Sequence, residues 1–346
     1  MKKIIRNILY FLLAFVLIAA GVMLFRYRSE VSTLSTLKQV NSYPFYTMTY
    51  DGDYGFDDFL KQGAHSDRDI EKFVTNRLLK GIPIHFNVTG AGCSAFAAKN
   101  GQGEALYGRN FDFEYTPSLL LKTKPENGYA SVSMVNLSFA GYTKENLPKP
   151  QQTSSFLTLA APYLPFDGMN EKGVAMALLA VPAVQTPQDK DKVTLNTTAM
   201  IRLVLDKAAN VDEAVSLMGK YNIYFSGGVN CHYLLEDASG KSVVVEYWNN
   251  RLQTVKTNEN YQVLTNYIQY NGINLGEGYT EFKRYDIIHN SLSKTNGVLN
   301  EKEAMAVLKS AGQESTQWSA VYNLKELKGE VCVAGDYSSP YSFSLK

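Results

Sequence analysis

Cysteine is scarce in this chain, with 3 in 346 residues. That excludes a disulfide-dense scaffold and a four-cysteine zinc site. Histidine, at 4, leaves little material for a multi-histidine metal centre. Net charge is nearly absent as well, 34 basic against 33 acidic residues, so nucleic acid has no electrostatic footprint to bind. Internal repeats and low-complexity linkers are missing too. What is present is a globular composition, 45% hydrophobic and 19% charged, which rules out intrinsic disorder. Tyrosine (23) and phenylalanine (17) are abundant enough for a large core with aromatic-lined pockets. The length fits one large domain or two ordinary ones.

One hydrophobic run stands apart. Lys2, Lys3 and Arg6 precede an apolar stretch from Ile8 to Phe25, and Arg26 and Arg28 close it. As a helix it would extend roughly 27 Å, close to the thickness of a bilayer's hydrocarbon. A cleaved signal peptide has a shorter apolar region and a small-residue cleavage site after it. Here Ala19, Ala20 and Gly21 fall inside the run. Residues 1–28 therefore read as an uncleaved signal anchor, with a cleaved signal as the alternative. The basic residues place the N-terminus inside and the body outside the cytoplasm.

Residues 29–50 read as a polar tether. Ser66, with Asp69 three residues on, is a helix N-cap signature, and Ile70, Phe73, Val74 and Leu78 follow at helical spacing. Gly81 and Pro83 stop that helix. Then the texture changes. Cys93–Ala98 and Ala105–Phe113 read as strands around an Asn100-Gly101 turn. Tyr129–Phe139 alternates, and Gly173–Val181 is a nearly continuous apolar run, as in a strand buried on both faces. Met200–Ala208 forms a helical stripe, and Asn210 with Glu213 caps the next helix. Strands return at His232–Glu236, Ser242–Trp248 and Tyr261–Asn266. Helices at Glu281–Leu292 and Glu301–Ala311 lead into a terminal meander, Ser319–Leu324, Glu330–Ala334 and Tyr341–Leu345. Grouped strands and helices indicate an α+β protein with antiparallel sheets.

Cys93 sits where a glycine-rich turn meets a strand. Arg109 and Asp112 lie in the next strand, within Gly-Arg-Asn-Phe-Asp-Phe (108–113). If the two strands pair, a thiol, a guanidinium and a carboxylate become neighbours. The cation favours the thiolate, and the carboxylate can hold an amine. A buried core cysteine beside an ordinary ion pair is the plain alternative. Cys231 and His232 are adjacent, but strand neighbours point to opposite faces and do not pair easily. Cys231, Cys332, Trp248 and Trp318 read as core. Asn87, Asn136 and Asn196 match the glycosylation pattern, which matters only in a eukaryotic secretory pathway.

Gly-Cys-Ser-Ala-Phe (92–96), the 108–113 segment and Phe-Asp-Gly-Met-Asn-Glu-Lys-Gly (166–173) form an ordered set. The set continues with His-Tyr-Leu-Leu-Glu-Asp-Ala-Ser-Gly-Lys-Ser (232–242) and Leu-Thr-Asn (264–266). In order and spacing it resembles the choloylglycine hydrolase or penicillin V acylase family of cysteine N-terminal nucleophile amidohydrolases. More distantly it is similar to acid ceramidase and the acid amidase of N-acylethanolamines. The resemblance implies a four-layer αββα sandwich over 93–346 and hydrolysis of a linear N-acyl amide without cofactor or metal. It implies Cys93 as the nucleophile, exposed by a cut after Gly92 that makes 29–92 a propeptide. A free α-amine, with a pKa near 8, then serves as base. Arg109 corresponds to the arginine beside the nucleophile, Asp112 to the aspartate bonding the α-amine, and Asn266 to an oxyanion amide. Arg284 aligns more loosely with a distal arginine, a helix-surface arginine being the alternative. Ala180 falls where the family often has Asn or Tyr, so only its backbone N–H could serve the oxyanion, and bile salts are not a safe inference. The expected partners are a small N-acyl amide and, through the anchor, a membrane; a homo-oligomer stays open. Two other readings stand beside the hydrolase: a membrane-anchored binding or signalling protein of the same fold, and an acyltransferase using the same thioester.

Overall fold

The computed structural model describes residues 2–86, 92–182, 184–270 and 281–346. Its first helix, α1, is Lys2–Arg26. The large apolar side chains from Ile8 to Ile18 are all between 53% and 74% exposed, on every side of the helix. Among the described residues no helix is long and apolar enough to cross a membrane. The transmembrane helix expected from the sequence is thus not found here.

Residues 29–50 are not a tether. They form helix α2 (Arg28–Ser35) and strands β1 (Lys38–Gln39) and β2 (Phe45–Tyr50). Strand β2 pairs in parallel with β5 (Ser118–Thr123), from Phe45 opposite Ser118 to Tyr50 opposite Thr123. Two further helices follow, α3 (Phe56–Gln62) and α4 (Asp67–Arg77). Ser66 caps α4 by accepting the Asp69 N–H, as its spacing predicts. Phe45, Tyr46, Met48, Phe59, Ile70 and Val74 are buried in the main core.

Two sheets face each other. One is a hairpin-centred sheet built on β3 (Gly92–Lys99) and β4 (Ala105–Asp112), with β14 (Gln262–Leu264) on one side. On the other side lie β15 (Thr316–Asn323), β16 (Lys328–Val333) and β17 (Asp336–Ser344). The second has nine strands. It runs from β1, β2 and β5 through β6 (Ser131–Asn136), β7 (Pro165–Asn170) and β8 (Ala175–Ala180). It ends with β11 (Cys231–Glu236), β12 (Ser242–Trp248) and β13 (Arg251–Val255). A short parallel pair, β9 (Thr194–Asn196) and β10 (Asn222–Tyr224), flanks it. Helices α5 (Thr197–Lys207) and α6 (Val211–Met218) pack on the nine-stranded sheet, and α7 (Glu281–Lys294) and α8 (Glu301–Ala311) on the other. The layers are therefore α, β, β, α. The antiparallel expectation holds apart from β2 with β5 and the β9–β10 pair.

Strand alternation decides which residues meet. On β3, Cys93 and Ala95 belong to the core between the sheets, whereas Phe96 and Ala98 belong to the core under α7 and α8. Register pairs Cys93 with Phe111 and Ala95 with Arg109. Gly108 lies opposite Phe96, and a Cβ there would come within 2.3 Å of the Phe96 ring. Only glycine lets that ring cross the strand. Asn196 and Asn136 are buried, and each caps a helix, α5 and the short 3-10 helix Leu137–Ala140, which removes both as glycan acceptors. Asn87 lies outside the described residues.

Candidate active site

Cys93 is wholly buried near the start of β3, facing the opposite sheet. Arg109 lies on the same face of β4 and is also buried. Its Nε donates to Asp167 Oδ2 at 2.8 Å and its Nη1 to the Asn110 carbonyl at 3.0 Å. The guanidinium is 5.3 Å from the Phe111 ring centre. Asp167, on β7 of the other sheet, also accepts Trp318 Nε1 at 3.0 Å and the Tyr322 hydroxyl. Burial pushes the Cys93 thiol above its ordinary value, and Arg109, by charge and hydrogen bonding, pulls it back. Burial works against the Arg109 charge, yet the Cys93 and Asp167 charges hold the guanidinium protonated more firmly than usual.

A second set approaches the Cys93 backbone from the helix side. Its N–H donates to Asn266 Oδ1 at 2.8 Å, and its carbonyl accepts Arg284 Nη1 at 3.0 Å. Arg284 comes from α7. It also donates to Asp112 Oδ2 and to Asn266 Oδ1, each at 2.7 Å. Asp112 alternates onto this face because it lies one residue past Phe111, and Thr316 donates to its other oxygen at 2.6 Å. Arg284 is thus no surface arginine; it gathers the Cys93 carbonyl, Asp112 and Asn266. Asp112 does not bond the Cys93 nitrogen in this uncut chain, where that hydrogen is taken by Asn266.

Asn266 also reaches the other sheet, donating Nδ2 to the Ala180 carbonyl at 2.7 Å. Val181 donates to Asn230 at 2.9 Å, one residue beyond the pair Ala180 with Cys231. Antiparallel alternation then turns both polar backbone groups of Ala180 away from β11, and its carbonyl meets Asn266. A largely apolar pocket includes Ala180 in its lining, with Phe139, Phe166, Leu178 and Cys231 on its apolar side and Asn196, Thr197, Thr198 and Ser226 on its polar side. The Cys231 thiol donates to the Val229 carbonyl at 3.3 Å, while His232 turns to Glu246. The two neighbours diverge as strand geometry requires. Among the described residues no cluster of three or more His, Cys, Asp or Glu is placed to hold a metal.

The model of the linear amide C–N hydrolases, choloylglycine hydrolase family, matches residues 93–313. The chain belongs to this family. A bile salt hydrolase/transferase of Clostridium perfringens (strain 13 / Type A) is 29% identical over 184 residues, 50% of this chain and 53% of that one. The match thus spans about half the length of that curated relative. A crystal structure of a mutant conjugated bile acid hydrolase from Clostridium perfringens has a TM-score of 0.54 at 18% identity. It covers 73% of this chain and 92% of that one. Penicillin V acylase from Agrobacterium tumefaciens has a TM-score of 0.50 at 19% identity, over 72% and 85% of the two chains. These structures share the fold.

Within this chain of the choloylglycine hydrolase family, Cys93, Arg109, Asp112, Asn266, Arg284 and Ala180 all converge on one place. Sequence reasoning did not single out Asp167 or Thr316 for a role. Asp167 had one signal, a carboxylate at the head of the 166–173 motif, between apolar Phe166 and Met169. Thr316 had none, because its use depends on β15 pairing with β4.

Proposed function

We propose that this protein hydrolyses a linear, non-peptide N-acyl amide through Cys93, made N-terminal by a cut after Gly92. The observation that carries the reading is the convergence on Cys93 of Arg109 and Asp112 from β4, Asn266 from the turn after β14, and Arg284 from α7. That the family match starts at residue 93 supports it. In the uncut chain the Cys93 nitrogen is an amide and cannot act as a base. Freed, it becomes an amine beside Asp112 and Asn266. It takes the thiol proton as the sulfur bonds the substrate carbonyl carbon. The oxyanion is met by the second Nδ2 hydrogen of Asn266 and by the Ala180 N–H. The C–N bond breaks, the α-ammonium protonates the leaving amine, and water then cleaves the thioester to release the acid and restore the thiol. The acyl group would take the apolar pocket beside Ala180.

An acyl-transfer reading has one specific support, the name of the curated relative, a hydrolase/transferase. Both outcomes draw on one thioester, and an amine competing with water would decide between them. Helix α1, apolar and exposed on every side, is the reason to propose a membrane association with the body extracytoplasmic.

Intact mass and N-terminal sequencing of purified protein test the cut, and Cys93→Ala tests the nucleophile. A panel of penicillin V, glycine-conjugated bile salts, N-acylethanolamines and acyl homoserine lactones narrows the substrate. Protein that keeps its residues before Cys93, with hydrolysis untouched by Cys93→Ala, would leave a non-catalytic binding protein of this fold.

A further inference from the structure

The turn after β14 carries Asn266, and a second buried pair grips it on both sides. His232 and Glu246 are wholly buried on adjacent strands, β11 and β12, with Nδ1 of the ring 2.9 Å from Glu246 Oε1. The ring's Nε2 is 2.7 Å from the carbonyl of Thr265, the residue before Asn266. A carbonyl only accepts, so Nε2 carries the proton. On the far side, the Glu246 carboxylate accepts the Gln269 N–H at 2.9 Å and the Tyr270 N–H at 2.8 Å. Gln269 closes the turn by donating Nε2 to the Val263 carbonyl at 2.8 Å.

We infer that the His232–Glu246 pair is a positioning device for the Asn266 amide. The pair belongs to the nine-stranded sheet and the turn to the other, so it fixes Asn266 against Ala180, the two donors proposed for the oxyanion. An oxyanion donor works only when it is held at its place before charge develops, and misplacement by a fraction of an ångström is costly. Neither residue touches the thiol or the pocket. This inference rests on the oxyanion role proposed for Asn266.

Processed protein is compared in two reactions of Cys93. Acylation by p-nitrophenyl acetate, read as a burst of nitrophenolate, forms an S–C bond, expels the phenolate and passes through an oxyanion. Alkylation by iodoacetamide displaces iodide and has no oxyanion. His232→Ala should slow the burst by about ten- to a hundredfold while alkylation stays within about twofold. In an Asn266→Ala background, His232→Ala should add almost nothing. Glu246→Gln, which keeps the side chain's shape but loses its charge and one acceptor oxygen, should give an intermediate loss, and His232→Gln, which can still donate to Thr265, a partial rescue. Equal losses in burst and alkylation, or independent losses in the double variant, would assign the pair a purely structural role while leaving Asn266 as oxyanion donor. A burst unaffected by Asn266→Ala would instead overturn the oxyanion role and this inference together.

Discussion

Arg109 Nε donates to Asp167 Oδ2 at 2.8 Å across the gap between the two sheets, with both side chains fully buried. The contact fixes one edge of the guanidinium, and the Asn110 carbonyl takes Nη1. An arginine used this way is aimed: its anchored edge sets the charge that favours the thiolate.

Asp167→Asn should therefore cost stability and turnover together. Removing the charge of one partner strands a buried guanidinium, typically at about 3–5 kcal/mol. It also weakens the bonds from Trp318 and Tyr322. Urea unfolding should show a midpoint shift of that size, and kcat/KM for the best amide should fall at least about tenfold. An unchanged unfolding midpoint would show that the pair is not what holds Arg109.

Cleavage after Gly92 should leave two chains that stay together. Strand β2 lies inside the nine-stranded sheet, paired with β5 over its full length. Tyr54 donates to the buried Asp206 at 2.7 Å, and Tyr163 donates to the Tyr54 carbonyl at 3.0 Å. Arg202 bonds Asp206, Thr123, Ser131 and Ser133 around the same point. Releasing residues 29–86 would expose Phe45, Tyr46, Phe59 and Val74 at about 1.5–3 kcal/mol for each large side chain. Native mass spectrometry should find one particle and denaturing spectra two chains. Cys93→Ala should give one chain in both. Two chains that separate on gel filtration without denaturant would count against this view of the N-terminal segment.

The hairpin, the caps at Ser66 and Asn210, and the terminal meander were legible because their signals are local: turn residues and spacings within a few positions. So was the meeting of Cys93 with Arg109, since a hairpin needs only the Asn100 turn. The place of β2 was not legible. It pairs in parallel with a strand some seventy residues away in sequence, and its alternation suits an exposed arm as well as a sheet. The aim of Arg284 depends on how α7 packs against β3 and β14, which no periodicity encodes. Asp167 sits in a buried strand, where a carboxylate makes sense only after its three donors have been brought from other elements.

Ala180 lines the largely apolar pocket together with Leu178 and Cys231. Ala180→Phe should fill it. Overpacking costs about 1–3 kcal/mol, but the effect on catalysis should be selective. For a long acyl chain KM should rise by about tenfold or more, while kcat for an acetyl group changes little, because the backbone N–H remains. Equal loss for acetyl and long-chain substrates would place the acyl group elsewhere.

Glu30 on α2 supplies a pH dependence with a definite sign. Burial by itself would raise its carboxyl, but the hydrogen bond and charge of Lys80, 2.7 Å away, with further hydrogen bonds, outweigh burial and hold it below its ordinary 4.5. A carboxyl lowered by folding stabilises the fold fully above its unfolded value. That contribution is lost as the pH falls through the folded value. The wild type should therefore melt higher than Glu30→Gln between pH 6 and 8, and the gap should close as the pH drops below about 4. Because Glu30 and Lys80 both precede Cys93, the gap should persist in processed protein only if the N-terminal chain remains bound. Thermal melts of cut and uncut protein across this range check both points, and a gap that stays constant down to pH 3 would remove the ion pair as its cause.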